Sequence, residues 1–386
     1  MKQFLISVIV PFYNPDFDLF KVAIYSILSQ SYTNYEVVIV NDGSTSENKT
    51  ILEDFIDNLN DKRFLVIHLD RNYGPSFARN KGIDSSRGDI VTFLDSDDLH
   101  LPWYYEEIAN HFLQDPSSLI LGTPPLHYLP NKKRIYLDRH RYSLVEHPEK
   151  LAFPAFKYYP ILSDEEEKTF KLLAKKCGTK LMFFSTPRLA MKKEAFEITK
   201  YDPDFIAIED TEFCLSIINN SELINRAIVN PNFGYLYRIY SLKNRHTRKT
   251  NLNFEHMFKM IKKYSNENTL VYDILNHWKR RDEWKYCSNI SKILKNRSNG
   301  NFIEIAREFY TVGRKNLKAL FLLCKIIFKY KVLHEALGID FRAFEIPSKV
   351  NIDKTKDIKD KFEFYLTSYT SEIQRRYATL VMKSIF

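Results

Sequence analysis

The sequence predicts an α/β fold with a mostly parallel central sheet, followed by a mainly α-helical C-terminal region. Two observations carry the first part. Short apolar, β-branched runs read as buried strands, and they alternate with amphipathic stretches of about 10–13 residues, which is the signature of βαβ units. A third carries the second: residues 251 to about 337 are helical in pattern, Lys-rich and nearly free of proline.

The elements follow in order. Phe4–Val10 is expected as a strand ending at Pro11-Phe12-Tyr13-Asn14, and Asp18–Ser29 as a helix with Leu19, Val22, Ala23 and Ile27 on one face. Tyr35–Val40 forms a second strand closed by Asn41-Asp42-Gly43-Ser44. In Glu47–Leu59, Ile51, Leu52, Phe55, Ile56 and Leu59 repeat at amphipathic helical spacing. Phe64–Leu69 is a third strand, Asn72-Tyr73-Gly74-Pro75 a turn, and Ser76–Ser86 a weaker helix. Asp89–Leu94 is a strand running straight into Asp95-Ser96-Asp97-Asp98. Trp103–Leu113 reads as a helix and Ser118–Gly122 as a strand.

Residues 123–180 read as a long irregular stretch, broken by Pro124, Pro125, Pro130, Pro148, Pro154 and Pro160, with a helix at 164–176. Leu181–Phe184 and Arg188–Met191 resume an extended pattern. A helix is expected from Asp210, an aromatic strand over Phe233–Tyr240, a break at Asn299-Gly300, and one or two polar helices over Asp353–Phe386. The expected division is 1–245, with halves at 1–122 and 123–245, and a helical accessory region over 246–386.

Composition bounds the function. Of 386 residues, 44% are apolar and 15% aromatic, the make-up of a globular protein. The four cysteines are far apart and form no CxxC pair, which fits a reducing compartment. The N-terminus reads as a strand and not a signal peptide, and no run of about 18 uncharged apolar residues exists to span a membrane. Neither GxGxxG nor GxxxxGK[ST] occurs, which speaks against dinucleotide and P-loop folds.

The charge of +9 is unevenly placed. Residues 1–242 hold 27 Lys+Arg against 33 Asp+Glu, and residues 243–331 hold 21 against 7. Such a basic block implies an anionic partner or surface. Within it, 317–334 mixes an apolar face with lysines. It reads as a core helix of an accessory domain, as an interfacial helix on anionic lipid, or as a surface for an anionic polysaccharide acceptor. A nucleic-acid partner is not expected, since no recognition motif is present.

Three carboxylates in four residues repel one another unless a cation gathers them. At the end of a buried strand they suggest a divalent metal facing a phosphate-bearing substrate. The alternative is a solvated acidic turn, with Asp97 or Asp98 capping the next helix.

Five motifs then follow in order. They are Val8-Ile9-Val10-Pro11-Phe12-Tyr13-Asn14; Ser26-Ile27-Leu28-Ser29-Gln30-Ser31-Tyr32; Glu36-Val37-Val38-Ile39-Val40-Asn41-Asp42-Gly43-Ser44; Arg71-Asn72-Tyr73-Gly74-Pro75-Ser76-Phe77-Ala78-Arg79-Asn80-Lys81-Gly82; and Leu94-Asp95-Ser96-Asp97-Asp98. The succession resembles the nucleotide-binding half of family 2 glycosyltransferases, which have the GT-A fold. It covers the first hundred residues, and a looser match runs to about residue 240.

The resemblance implies inverting transfer of a sugar from a nucleoside diphosphate, most often UDP, to a hydroxyl acceptor in glycan or polysaccharide synthesis. It also implies Mn²⁺ or Mg²⁺ as cofactor, held by Asp95 and Asp97, with Asp97 on the metal and Asp95 nearer the ribose. Pro11, Tyr13, Asn14 and Asp42 would hold the base, and Arg79 and Ser96 would face the nucleotide. Glu209-Asp210 resembles the family's Glu-Asp pair, which opens a helix near the acceptor site: Asp210 would be the base that deprotonates the acceptor and Glu209 is implied at the donor diphosphate or acceptor; a helix N-terminus would lower the Asp pKa and keep it ionised. Arg238 and Tyr240 resemble the segment that closes over the diphosphate. Many members carry a histidine where Tyr240 stands, and His246 is a weaker candidate for that metal or phosphate contact.

The implied partners are a nucleotide-sugar donor and a glycan or lipid-linked glycan acceptor. The implied location is the cytoplasm, with peripheral contact at the inner face of the membrane. Rival readings are a sugar-nucleotide nucleotidyltransferase, which should show a glycine-rich loop with an arginine after the first strand, and a catalytically inactive nucleotide- or sugar-binding module.

Overall fold

The computed structural model describes residues 3–123, 126–138, 188–229, 234–239, 302–313 and 351–386, with 256, 259–260 and 262–264. Tyr240, His246, the expected helices at 164–176 and 317–334, the extended stretch 181–184 and the break at 299–300 lie outside the described residues. The chain divides into two compact units. One comprises residues 1–160, 174–240 and 348–386, the other 161–173 and 241–347.

In chain order the first unit holds β1 (Ile6–Phe12), α1 (Phe17–Leu28), β2 (Tyr35–Asn41), α2 (Ser46–Leu59), β3 (Phe64–His68), α3 (Pro75–Ser85) and β4 (Ile90–Phe93). There follow β5 (Leu99–His100), α4 (Tyr104–Gln114), β6 (Ile120–Gly122), β7 (Leu126–Leu129), β8 (Arg134–Asp138), β9 (Leu189–Lys192) and α5 (Ala195–Ile198). Next come α6 (Glu209–Asn219), α7 (Ser221–Asn225), β10 (Ala227–Val229) and β11 (Tyr235–Arg238). The second unit contains α8 (Phe302–Gly313). The chain then re-enters the first unit with β12 (Asn351–Asp353), α9 (Thr355–Ser368) and α10 (Glu372–Ile385).

Seven strands form the main sheet, in the order β10-β6-β9-β4-β1-β2-β3. Strands β1 to β4 are parallel, as is the β6–β10 pair, while β9 runs antiparallel between β4 and β6. The continuous apolar runs are explained by burial: all seven residues of β2, and six of the seven in β1, are buried. Helices on both faces leave no room for a polar row. The α/β fold with a mostly parallel sheet is therefore present.

A second, five-stranded sheet, β12-β8-β7-β11-β5, was not foreseen. The part of the supposedly irregular stretch that is described, 126–138, is a β-hairpin. Pro130 starts the 3-10 turn of that hairpin, where a missing N–H costs little.

Residues 351–386 belong to the first unit and not with 241–347. Ile358, Phe362, Ala378, Val381 and Ile385 join Leu99, Trp103, Leu126, Tyr128 and Leu236 in one apolar cluster. Strand β12 pairs with β8, and Tyr128 donates its hydroxyl to the Ile385 carbonyl at 2.9 Å. No helix among the described residues is long and apolar enough to cross a membrane.

Candidate active site

The parallel strands end where ligands of open α/β sheets bind. Asp42 follows β2 and the Asp95–Asp98 turn follows β4. Asp42 is buried, and its two carboxylate oxygens accept the N–H groups of Tyr73 (2.8 Å) and Gly74 (2.9 Å). It thereby fixes the entry to α3, whose first turn has no side-chain cap. Two glycines make this packing possible. Gly43 (φ +68°) leaves no space for a Cβ, which would lie 2.2 Å from the Arg71 carbonyl carbon. Gly74 (φ +91°) caps α3 in a backbone conformation that suits only glycine.

Arg79, on α3, is buried and links two carboxylates from distant parts of the chain. Its Nη2 donates to Asp95 at 3.0 Å and its Nη1 to Glu209 at 2.9 Å. The guanidinium lies 5.5 Å from the centre of the Tyr201 ring, and that ring stacks on Phe213 of α6. Burial raises the Asp95 pKa and the nearby Arg79 opposes it, with Asp97 adding a like charge.

Asp97 and Asp98, adjacent in sequence, have opposite surroundings. Asp97 is partly exposed and makes no hydrogen bond or ion pair among the described residues. Asp98 is buried, accepting the Tyr235 hydroxyl on one oxygen and the Arg238 N–H on the other at 2.8 Å. It pins β11 beside β5 and caps no helix. Burial, with the like charges of Asp97 and Asp95, pushes its pKa well up. Behind it His100 is fully buried against Tyr105, and burial holds its pKa down to about 3.

No group of three His, Cys, Asp or Glu side chains among the described residues could hold a metal. The donors present are hard carboxylate oxygens, one of them uncommitted. They suit a Mg²⁺- or Mn²⁺-type ion that draws its remaining ligands from phosphate and water, and do not suit an all-protein cage.

Asp210 sits in the first turn of α6 and accepts the Thr211 N–H at 2.7 Å. The Thr211 N–H at the helix start lowers its pKa, as expected, but does not set it. Burial first, then the Glu209 charge, raise it to about 6, outweighing the Thr211 N–H and the charges of Arg79 and Arg188. The residue before the pair, Ile208, has a left-handed backbone (φ 53°), rare for a β-branched side chain. Such a conformation costs roughly 1–3 kcal/mol and persists only where its surroundings enforce it.

Of the remaining expected residues, Pro11, Tyr13 and Asn14 lie at the end of β1 beside Asp42, whose N–H donates to the Phe12 carbonyl at 2.9 Å. Pro11 lies within β1 opposite Val40, and Tyr13 is 39% exposed. Asn14 ties to the 44–48 turn, its N–H reaching Ser44 Oγ and its Oδ1 accepting Thr45 N–H. Ser96 is partly exposed between Asp95 and Asp97. The buried Arg238 guanidinium donates to the Leu19 carbonyl at 3.0 Å.

The sequence reading missed Tyr201 and Arg188. Arg188 is a buried charge whose field reaches Asp210; a charged residue opening an apolar strand was the available signal.

The family model "Glycosyl transferase family 2" matches residues 7–198. An uncharacterised glycosyltransferase of Haemophilus influenzae is 32% identical over 196 residues, 51% of this chain and 71% of the relative. GlyG, a glycosyltransferase of Streptococcus pneumoniae, is 33% identical over 118 residues, 31% of this chain and 38% of its own length. The chain thus spans well under half of the pneumococcal relative. Among solved structures, S. aureus TarS 1–349 in complex with UDP-GlcNAc has a TM-score of 0.48 at 16% identity, covering 80% of this chain and 91% of that one. Matched over more than two thirds of the Haemophilus protein, the chain belongs to glycosyltransferase family 2.

Proposed function

We propose that the chain is an inverting glycosyltransferase that moves a sugar from a UDP-sugar to a hydroxyl of a glycan or lipid-linked glycan. The observation that carries this reading is the placement of Asp210. A carboxylate raised to about 6 is tied through Glu209 and Arg79 to Asp95, next to the uncommitted Asp97. A base with a pKa just below neutral is ionised at working pH yet still basic enough to take a hydroxyl proton. Asp210 removes the acceptor proton as its oxygen attacks the anomeric carbon, and the nucleoside diphosphate leaves from the opposite face. Asp97, with Asp95 beside it, would hold Mn²⁺ or Mg²⁺, which when bound offsets the charge growing on the diphosphate. The buried Asp42 clamp keeps the loop beside the base subsite in place.

The test is hydrolysis and transfer with a panel of UDP-, GDP- and TDP-sugars, with Mn²⁺ and with EDTA. Turnover of a UDP-sugar, lost in EDTA and giving a product of inverted anomeric configuration by NMR, is expected. Turnover of none would overturn the reading, and retained configuration would overturn the single-base mechanism. The excess of basic residues over 243–331 supports a location in the cytoplasm against the inner membrane face. Flotation with anionic liposomes is expected, and its absence would remove that part.

A further inference from the structure

Helix α3 holds the segment that leads to Asp210. Ser76 Oγ donates to the Phe205 carbonyl at 2.7 Å. Asn80 donates to the Tyr201 carbonyl at 2.8 Å and accepts the Tyr201 N–H at 3.1 Å. Gly74 lets Ile206 approach so closely that a Cβ would come within 2.9 Å of it. One turn further along α3, the two terminal nitrogens of Arg79 are each committed to a carboxylate, and its Nε is sealed from solvent with no acceptor among the described residues. A guanidinium so engaged offers little to a nucleotide, although the motif alone pointed there.

We propose that Arg79 is a positioning residue and Glu209 its anchor. By holding Glu209 to Asp95, Arg79 sets where Asp210 stands relative to the donor-binding carboxylates. This rests on the reading of Asp210 as the base. The tie explains why a strained Ile208 is tolerated: the residue directly after it is clamped by a part-buried ion pair to the buried Arg79, and such pairs fix geometry more than they add stability. It also explains how a base on α6 is registered to a turn at the end of β4, more than a hundred residues earlier, since Arg79 bonds to both sides. Glu209 then acts through Arg79 and not through the diphosphate.

Glu209→Gln, Arg79→Lys and the double variant test this, with folding checked by circular dichroism, affinity for UDP plus Mn²⁺ by calorimetry, and kcat with the UDP-sugar that the wild type turns over. Each single variant should lose roughly tenfold or more in kcat, while Glu209→Gln binds UDP plus Mn²⁺ within about threefold of wild type. The double variant should be no more than about threefold slower than the worse single one, because a tie can be cut only once.

Losses that multiply in the double variant would overturn the proposal. So would Glu209→Gln at the wild-type rate, or with UDP affinity lost in step with kcat. Should Arg79→Lys fail to fold, the near-isosteric Glu209→Gln decides by its split between kcat and affinity. Wild-type turnover in Asp210→Asn would fell the base assignment itself, a result read separately from the additivity of the pair.

Discussion

Tyr235 donates its hydroxyl to Asp98 across 137 residues of chain, and Asp98 stands next to the uncommitted Asp97. The acidic turn is therefore two things at once. Asp98 faces inward as the peg between β5 and β11, and Asp97 is left partly open to solvent. The buried donors to Asp98 offset part of the unfavourable clustering that the sequence shows, while burial and the like charges of Asp97 and Asp95 still push its pKa up.

Asp97 and Asp98 should accordingly fail in different ways. Asp98→Ala orphans the Tyr235 hydroxyl and the Arg238 N–H inside the protein, at about 1–3 kcal/mol for each buried group. Asp97→Ala should change stability by no more than about 0.5 kcal/mol and abolish Mn²⁺-dependent turnover. Urea unfolding and activity on the same two variants separate the roles. Equal destabilisation by both would contradict this division.

The pH dependence of kcat should carry the signature of Asp210. With its pKa raised to about 6, turnover should climb through pH 6 and level off above it. Stability runs the other way. The folded protein keeps a proton on Asp210 at pH values where the unfolded chain has released it, so this group's contribution is full below the ordinary carboxylate range and declines as pH rises through about 6. Asp210→Asn should remove both the activity and this part of the stability profile. An acid limb centred near pH 4 would show that the burial of Asp210 does not govern its titration.

Asp42 should matter to the fold as well as to nucleotide affinity. Both of its oxygens accept backbone N–H groups. Asp42→Asn turns one acceptor into a donor facing a donor, at about 1–3 kcal/mol, and loosens the start of α3. Thermal stability and UDP affinity should fall together. A loss of affinity with an unchanged melting temperature would mean that Asp42 serves only as a base contact.

How much of this could be read from the sequence follows from the range of each interaction. Strands β1, β2 and β4 were legible because burial on both faces writes a continuous apolar run, and the places of Asp42 and Asp95 at strand ends and of Asp210 at a helix start were legible because each sits in a short local motif. The β7–β8 hairpin was hidden by the prolines in the sequence around it, of which Pro130 opens the 3-10 turn between the two strands. Arg79 was placed in the site, but its two partners are 16 and 130 residues away and nothing local marks Glu209 as one of them. The desolvation of Asp210 was equally invisible, since the residues that enclose it come from elsewhere in the chain and outweigh the Thr211 N–H at the helix start.

The last helices read as polar because their apolar residues form a narrow stripe, and the structure puts that stripe to use in the catalytic unit. Phe362 is fully buried among Trp103, Leu126 and Leu236, while Phe364, two residues on, is 65% exposed. Trp103 follows β5 closely and Leu236 lies in β11, so the cluster backs the two strands that Asp98 joins. Phe362→Ala should therefore cost about 3–5 kcal/mol, at roughly 2–4 °C of melting temperature per kcal/mol. Phe364→Ala, on the same helix, should cost less than about 0.5 kcal/mol. Thermal melts of the two variants decide it, because a helix that merely hangs on the surface would give two small and similar shifts.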